Sequence, residues 1–284
     1  SMVVGTFTTW SGDDMQYYVW KCTAKPKAIN IYIHGAFSYG IDGERIGGYL
    51  RNYGITTYSF DQRGWGTWAK EPPGHLEDRE HYLRDIDAFV AFIRKNVPED
   101  IPFVLTGHSM GGCIALRYAQ TRPDVFKAIA VSAPWLVTKT PVPKIILMAS
   151  SILQYVYPRL SQAPAFHPEE MTHDPEIVEM ERQNIKSGLA KPTATVNWFK
   201  QVEYMRWEVE KEPEAVKGPL IMVQGGEDSV VDPEANKKFF ERLTCEKRLE
   251  WYDHFFHEVL NELEREEPLS CIKDFFWTHL QLEK

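Results

Sequence analysis

The sequence predicts an α/β architecture, a mostly parallel central sheet with helices on both faces, and three observations carry that prediction. Short apolar runs alternate with segments whose apolar residues recur at helical spacing, the order that builds strand-helix-strand units. One run, at 101–105, passes directly through Gly107-His108-Ser109-Met110-Gly111 into a helical segment, giving strand, sharp turn and helix in succession. The alternation lapses between 135 and 191 and then resumes, so a mainly helical insertion interrupts one domain spanning 1–284.

Each element has its own signal. Residues 5–10 and 15–22 alternate around Ser11-Gly12-Asp13-Asp14, as a hairpin does. The mostly apolar run at 28–33 ends in His34-Gly35-Ala36 and reads as a strand buried on both faces. A helix is expected over 43–53, then a strand over 55–60 that ends in Asp61-Gln62-Arg63-Gly64-Trp65-Gly66. Leu83, Ile86, Phe89, Val90 and Ile93 share one face of a helix over 80–96, which Pro98 stops. A strand at 128–132 precedes the insertion. Among the insertion's prolines, aromatics and methionines only one apolar helical segment, 145–157, stands out, and no strand is evident. A helix over 193–210 follows, with Trp198, Val202, Met205 and Val209 on one side. Strand 219–224, helix 234–243, strand 248–252 and helix 264–280 complete the sheet.

Composition narrows the function. A chain of 284 residues with 43% hydrophobic content can bury a full core. Its net charge of -8, without clustered Lys and Arg, argues against a nucleic-acid surface. No apolar run approaches a membrane span and no secretory leader pattern appears, so a soluble cytoplasmic protein is expected. Cys22, Cys113, Cys245 and Cys271 lie far apart without metal-ligand spacing, which suits reduced thiols.

The turn at Ser109 carries the chemistry. Between a strand and a helix, Gly-x-Ser-x-Gly reads as a nucleophile elbow, in which small neighbours clear space for a strained serine backbone; the competing reading is a capping serine at a glycine-rich helix start. A serine hydroxyl needs a base, and the base needs an orienting acid. In a parallel sheet these belong on loops at the carboxyl ends of strands, in the order serine, acid, histidine. The first such loop is Gly225-Gly226-Glu227-Asp228-Ser229-Val230-Val231-Asp232-Pro233, where Asp228 is preferred as the acid and Asp232, just before Pro233, as a helix cap. The second is Asp253-His254-Phe255-Phe256-His257-Glu258, whose two histidines remain open on residue mechanics alone. His75, His81, His167, His173 and His279 are read as solvated or packed residues. A tetrahedral intermediate also needs amide donors, and the candidates are Met110, after the serine, and Ala36, after the third strand. His34 is read as shaping that loop.

Taken together, His34-Gly35-Ala36, Asp61-x-Arg63-Gly64-x-Gly66, the Ser109 elbow, the Asp228 loop, and Phe256-His257-Glu258-x-x-x-Glu262 resemble the monoacylglycerol lipase and lysophospholipase group of α/β-hydrolases. Thr172-His173-Asp174-Pro175-Glu176-Ile177-Val178 resembles a cap segment of that group, whereas Tyr39, Gly40 and Trp65 depart from its pattern. The resemblance implies the α/β-hydrolase fold with a cap at 135–191, and a triad of Ser109, Asp228 and His257, which selects His257 over His254. It also supports Ala36 and Met110 as oxyanion donors. It implies two-step hydrolysis of a monoacylglycerol, lysophospholipid or other acyl ester without metal or organic cofactor. The apolar cap segment would line an acyl tunnel, contact lipid, or simply pack on the body. Alternatives are a short-chain or aromatic carboxylesterase, an acyltransferase or peptidase, and a non-catalytic binding module.

Overall fold

The run Ala28–Ile33 shows why the apolar stretches become strands. Ile29, Ile31 and Ile33 enter one hydrophobic cluster and Ala28 and Tyr32 another, so both faces of the strand are covered. The computed structural model describes residues 2–68, 70 and 72–282. Eight strands form the main sheet: β1 (Met2–Thr8), β2 (Asp14–Trp20), β3 (Ala28–Ile33), β4 (Ile55–Phe60), β5 (Phe103–His108), β6 (Ile129–Ser132), β7 (Leu220–Gly225) and β8 (Lys247–Tyr252). They lie in the order β1-β2-β4-β3-β5-β6-β7-β8. The β1–β2 hairpin is antiparallel, β2 runs antiparallel to β4, and the other neighbours are parallel.

Helices close both faces. Helices α1 (Glu44–Leu50) and α8 (Glu266–Leu280) bury Ile46, Leu50, Ile272 and Phe276 against one face. On the other lie α2 (Glu80–Arg94), α3 (Met110–Thr121), α6 (Val196–Lys211) and α7 (Pro233–Arg242), with Ile86, Ile114, Val202 and Phe239 in the larger cluster. The helix expected over 43–53 is divided: α1 is flanked by 3-10 turns at Gly40–Gly43 and Arg51–Tyr53. Within this segment position 47 requires a glycine, since a Cβ on Gly47 would meet the Trp20 ring at 2.8 Å.

Between β6 and β7 the chain leaves the sheet. Here α4 (Lys144–Val156) and α5 (Pro175–Lys186) precede α6, and Ser161–Gln162 pairs with Ala194–Thr195 as a two-residue antiparallel ladder. Neither α5 nor the ladder was expected from the sequence. Only Ile177 and Val178 of α5 are buried, too few to print an apolar stripe, although its start is encoded by Asp174, which accepts from the Glu176 amide, and by Pro175 in the first turn. The orientation of α4 also differs from ordinary packing. Its buried residues are Ser150 and Gln154, while Ile145, Met148, Ile152 and Tyr155 face solvent, Tyr155 at 82% exposure. No helix among the described residues is long and apolar enough to cross a membrane.

Candidate active site

The turn from β5 into α3 holds Ser109 at φ 54°, ψ -119°, a left-handed backbone that a non-glycine residue keeps only under constraint. Neighbouring glycines make room for it. A Cβ on Gly107 would lie 2.2 Å from the Gly111 carbonyl oxygen, and one on Gly111 would lie 2.0 Å from the Ile33 carbonyl oxygen. Hydrogen bonds then hold the serine on both sides: its amide donates to the Ser132 carbonyl at 2.9 Å, and its carbonyl accepts from Trp135 at 2.9 Å and Cys113 at 3.1 Å.

Asp228 follows β7, and both its oxygens are committed. Oδ1 accepts from the amides of Val230 at 2.8 Å and Val231 at 3.0 Å, while Oδ2 lies 2.7 Å from His257 Nδ1 and 3.2 Å from Gln224 Nε2. Burial opposes its charge, but His257 and the two amides outweigh it and hold the carboxyl below the usual range. An ionised carboxylate only accepts, so Nδ1 of His257 carries the proton and Nε2 presents a lone pair. For His257, burial disfavours the imidazolium, yet Asp228, with Glu258 and Asp42, raises its pKa above the ordinary 6.5. Gly225 and Gly226 let the acid loop lie directly on the histidine loop: a Cβ on either would meet a carbonyl oxygen of Phe255 or Asp253 at 2.4 Å or 2.7 Å.

Ser109, His257, Gly35 and Ala36 face one cavity of about 560 Å³. The loop after β3 is fixed by His34. The Gln62 amide donates to His34 Nε2 at 3.0 Å, which leaves Nδ1 to donate to the Gly35 carbonyl at 2.7 Å. Burial lowers the pKa of His34, keeping the ring neutral in that role. Gly35 runs so close to the elbow that its Cβ would sit 3.3 Å from Ser109 Cβ. Met110 opens α3, so its amide lies in the first turn, where helical N–H groups have no intrahelical acceptor.

The other acid and histidine of these loops have different partners. Asp232 caps α7, accepting from Glu234 at 3.0 Å and Ala235 at 3.3 Å. His254 has an 87% exposed side chain and pairs with Glu227 at 3.0 Å, whereas His257 pairs with Asp228. Three features went unread in the sequence. Gln224 supports Asp228, signalled only by a polar residue in an apolar strand. The His108 ring lies 4.8 Å from that of His257, and burial together with His257 lowers its pKa to about 4, so it is neutral near pH 7. Finally, Asp42, Glu181 and Glu258 gather in the cavity lining, where burial and the neighbouring Glu258 push the Glu181 carboxyl up to about 12. Glu181 comes from α5, the helix whose sequence signal was weakest. Arg45 also lines the cavity, and its Nε, like Glu181 Oε2, is buried without a hydrogen-bond partner.

Comparisons with known proteins agree with this architecture. The chain is 27% identical over 262 residues to phospholipase YtpA of Bacillus subtilis, an alignment covering 91% of this chain and 98% of that protein. It is 26% identical over 290 residues to an uncharacterized abhydrolase domain-containing protein of Dictyostelium discoideum, of which it spans 30% while 99% of this chain is covered. The crystal structure of a monoacylglycerol lipase from Paleococcus ferrophilus shares the fold, with a TM-score of 0.82 and 23% identity over 93% of this chain and 99% of that one. The family described as serine aminopeptidase, S33, matches residues 24–264. That match runs unbroken from the start of the parallel sheet past the histidine loop, and the chain belongs to the S33 family of α/β-hydrolases.

Proposed function

We propose that this hydrolase cleaves carboxylic esters through an acyl-enzyme, with Ser109 as nucleophile, His257 as base and Asp228 as the orienting acid. The observation that carries the reading is the 2.7 Å contact between Asp228 and a buried His257 that opens, with Ser109, onto one cavity. Ser109 Oγ attacks the acyl carbonyl and its proton passes to His257 Nε2; His257 then protonates the departing alcohol as the C–O bond breaks. Water, deprotonated by the same nitrogen, releases the acid and restores the serine. The amides of Ala36 and Met110 hold the oxyanion, and each such donor is worth about 3 kcal/mol. No metal or cofactor enters this scheme.

The substrate we favour is a monoacylglycerol or lysophospholipid type of ester. The mixed lining of the cavity supports it: Trp135, Ile146, Phe166 and Trp198 offer apolar wall to an acyl chain, and Asp42, Glu181 and Asn261 offer polar groups to the alcohol part. The named relatives, a phospholipase and a monoacylglycerol lipase, point the same way. Residues 135–191 act as the cap in this reading, and the outward apolar face of α4 is its lipid-contacting surface. The test is a panel of acyl esters of increasing chain length, run on wild type beside Ser109→Ala. A preference for medium to long chains that vanishes in the variant supports the reading. Hydrolysis surviving the substitution, or a preference for acetyl and aryl esters alone, contradicts it.

A further inference from the structure

Thr172 and His173 in the insertion and Glu262, four residues after Glu258, take no part in the triad, yet both insertion residues meet the Glu262 carboxylate. Glu262 is fully buried, and each of its oxygens accepts one backbone amide and one side chain. Oε1 takes the His173 amide at 2.6 Å and the Thr172 hydroxyl at 3.0 Å. Oε2 takes the Phe256 amide at 2.9 Å and His173 Nδ1 at 2.6 Å. Burial opposes the charge on Glu262, but the amides of Phe256 and His173 hold its carboxyl below the usual range.

These contacts bracket His257. On its amino-terminal side Phe256 is tied to Glu262 and its ring stacks on His173, with centroids 3.7 Å apart and planes 23° from parallel. On the other side the Glu258 amide donates to the Met171 carbonyl at 2.9 Å. Thr172 Oγ1 also lies 2.9 Å from the Asn261 carbonyl, so its single proton is shared between that oxygen and Glu262 Oε1, and Arg265 reaches Asp174, the cap residue of α5, at 2.8 Å. The backbone on either side of the proposed base is therefore fastened to the insertion segment 171–174, and the insertion segment continues into α5.

We infer that Glu262 is a positioning residue for His257, a junction whose carboxylate sets the histidine loop and the root of α5 in one register. It does so without touching substrate. The inference rests on the reading of Ser109 and His257 as nucleophile and base. Glutamine tests it sharply, because each oxygen of Glu262 serves a backbone amide. An amide side chain replaces one oxygen with NH₂, which cannot accept, so either Phe256 or His173 must lose its acceptor whichever way the group is flipped. The common anchor is then broken with almost no change in volume.

The experiment measures kcat and KM on a short acetyl ester and a long-chain ester, and the labelling rate of Ser109 by a fluorophosphonate, for wild type, Glu262→Gln and Glu262→Asp. Thermal unfolding and circular dichroism establish how much of each variant is folded. Misplacing a catalytic group by about 1 Å can cost about 100-fold. Folded Glu262→Gln should accordingly lose about 10- to 100-fold in kcat and in labelling rate on the short ester, with its KM within about twofold of wild type. Glu262→Asp, which draws the carboxylate back from both amides, should lose kcat in the same sense, and it decides the matter if the glutamine variant does not fold. A purely structural role would lower the unfolding temperature while leaving kcat per folded molecule unchanged, and that result overturns the proposal. Ser109→Ala in the same panel separates the two claims. If it retains hydrolysis, the reading of the site falls and this inference with it; if it is inactive while folded Glu262 variants turn over normally, this inference alone falls.

Discussion

Asp228→Asn is the perturbation whose consequence follows most fully from the geometry. The two amides at Oδ1, from Val230 and Val231, require an acceptor, so the asparagine carbonyl must take that position. Its NH₂ is then directed at His257 Nδ1, 2.7 Å away in the native pair, and can only donate. The imidazole must answer by moving its proton to Nε2, the nitrogen that has to take the serine proton. Gln224 Nε2, at 3.2 Å, loses one of its two acceptors as well, keeping the Gly225 carbonyl at 3.0 Å. The fold has little reason to fail, but the base is held in the wrong tautomer and its imidazolium is no longer stabilised. In the Ser-His-Asp template this change costs about 10⁴-fold in kcat, or ~5.4 kcal/mol in the barrier. The assay is kcat on a soluble acyl ester near pH 8, with circular dichroism to show that the variant is folded. A folded variant within tenfold of wild type would refute the assignment of Asp228 and the tautomer argument together.

Further predictions concern the same machinery. Because His257 works as a base only when neutral and Asp228 raises its pKa, kcat/KM should fall as pH drops through a value above 6.5; a limb below the ordinary histidine range in a pH–rate profile would contradict this. Gly111→Ala places a Cβ 2.0 Å from the Ile33 carbonyl and should cost at least about 3 kcal/mol, read as a large fall in unfolding temperature or loss of folded protein. His254→Ala, at an exposed side chain paired with Glu227, should leave kcat within about twofold, and a loss like that of His257→Ala would mean that the wrong histidine has been placed in the site.

Much of this architecture was legible because strands buried on both faces are built mostly of apolar residues. Ala28–Ile33 and Leu220–Gly225 announce themselves as apolar runs, and the glycines of the elbow are demanded by carbonyl oxygens 2.2 Å or closer to where a Cβ would be. What stayed hidden lies where side chains answer to distant partners or to solvent. The helix α5 buries too little to carry a period, and α4 has its apolar stripe turned outward, so periodicity located that helix but gave no sign of which side it shows to the protein. Residue mechanics left His254 and His257 equal because the distinction is made by Asp228, 29 residues away along the chain, and only the family resemblance chose between them. The meeting of His173 with Glu262 is longer still, at 89 residues apart.

The central claim is that Ser109 becomes acylated. The most direct measurement is to mix the enzyme with a long-chain acyl ester, quench in acid within the first turnovers, digest, and weigh the peptide that contains Ser109. In wild type that peptide should gain the mass of the acyl group less the hydrogen it replaces, and in Ser109→Ala it should gain nothing. Full turnover with no acyl adduct on Ser109, or an adduct on another residue, would contradict it.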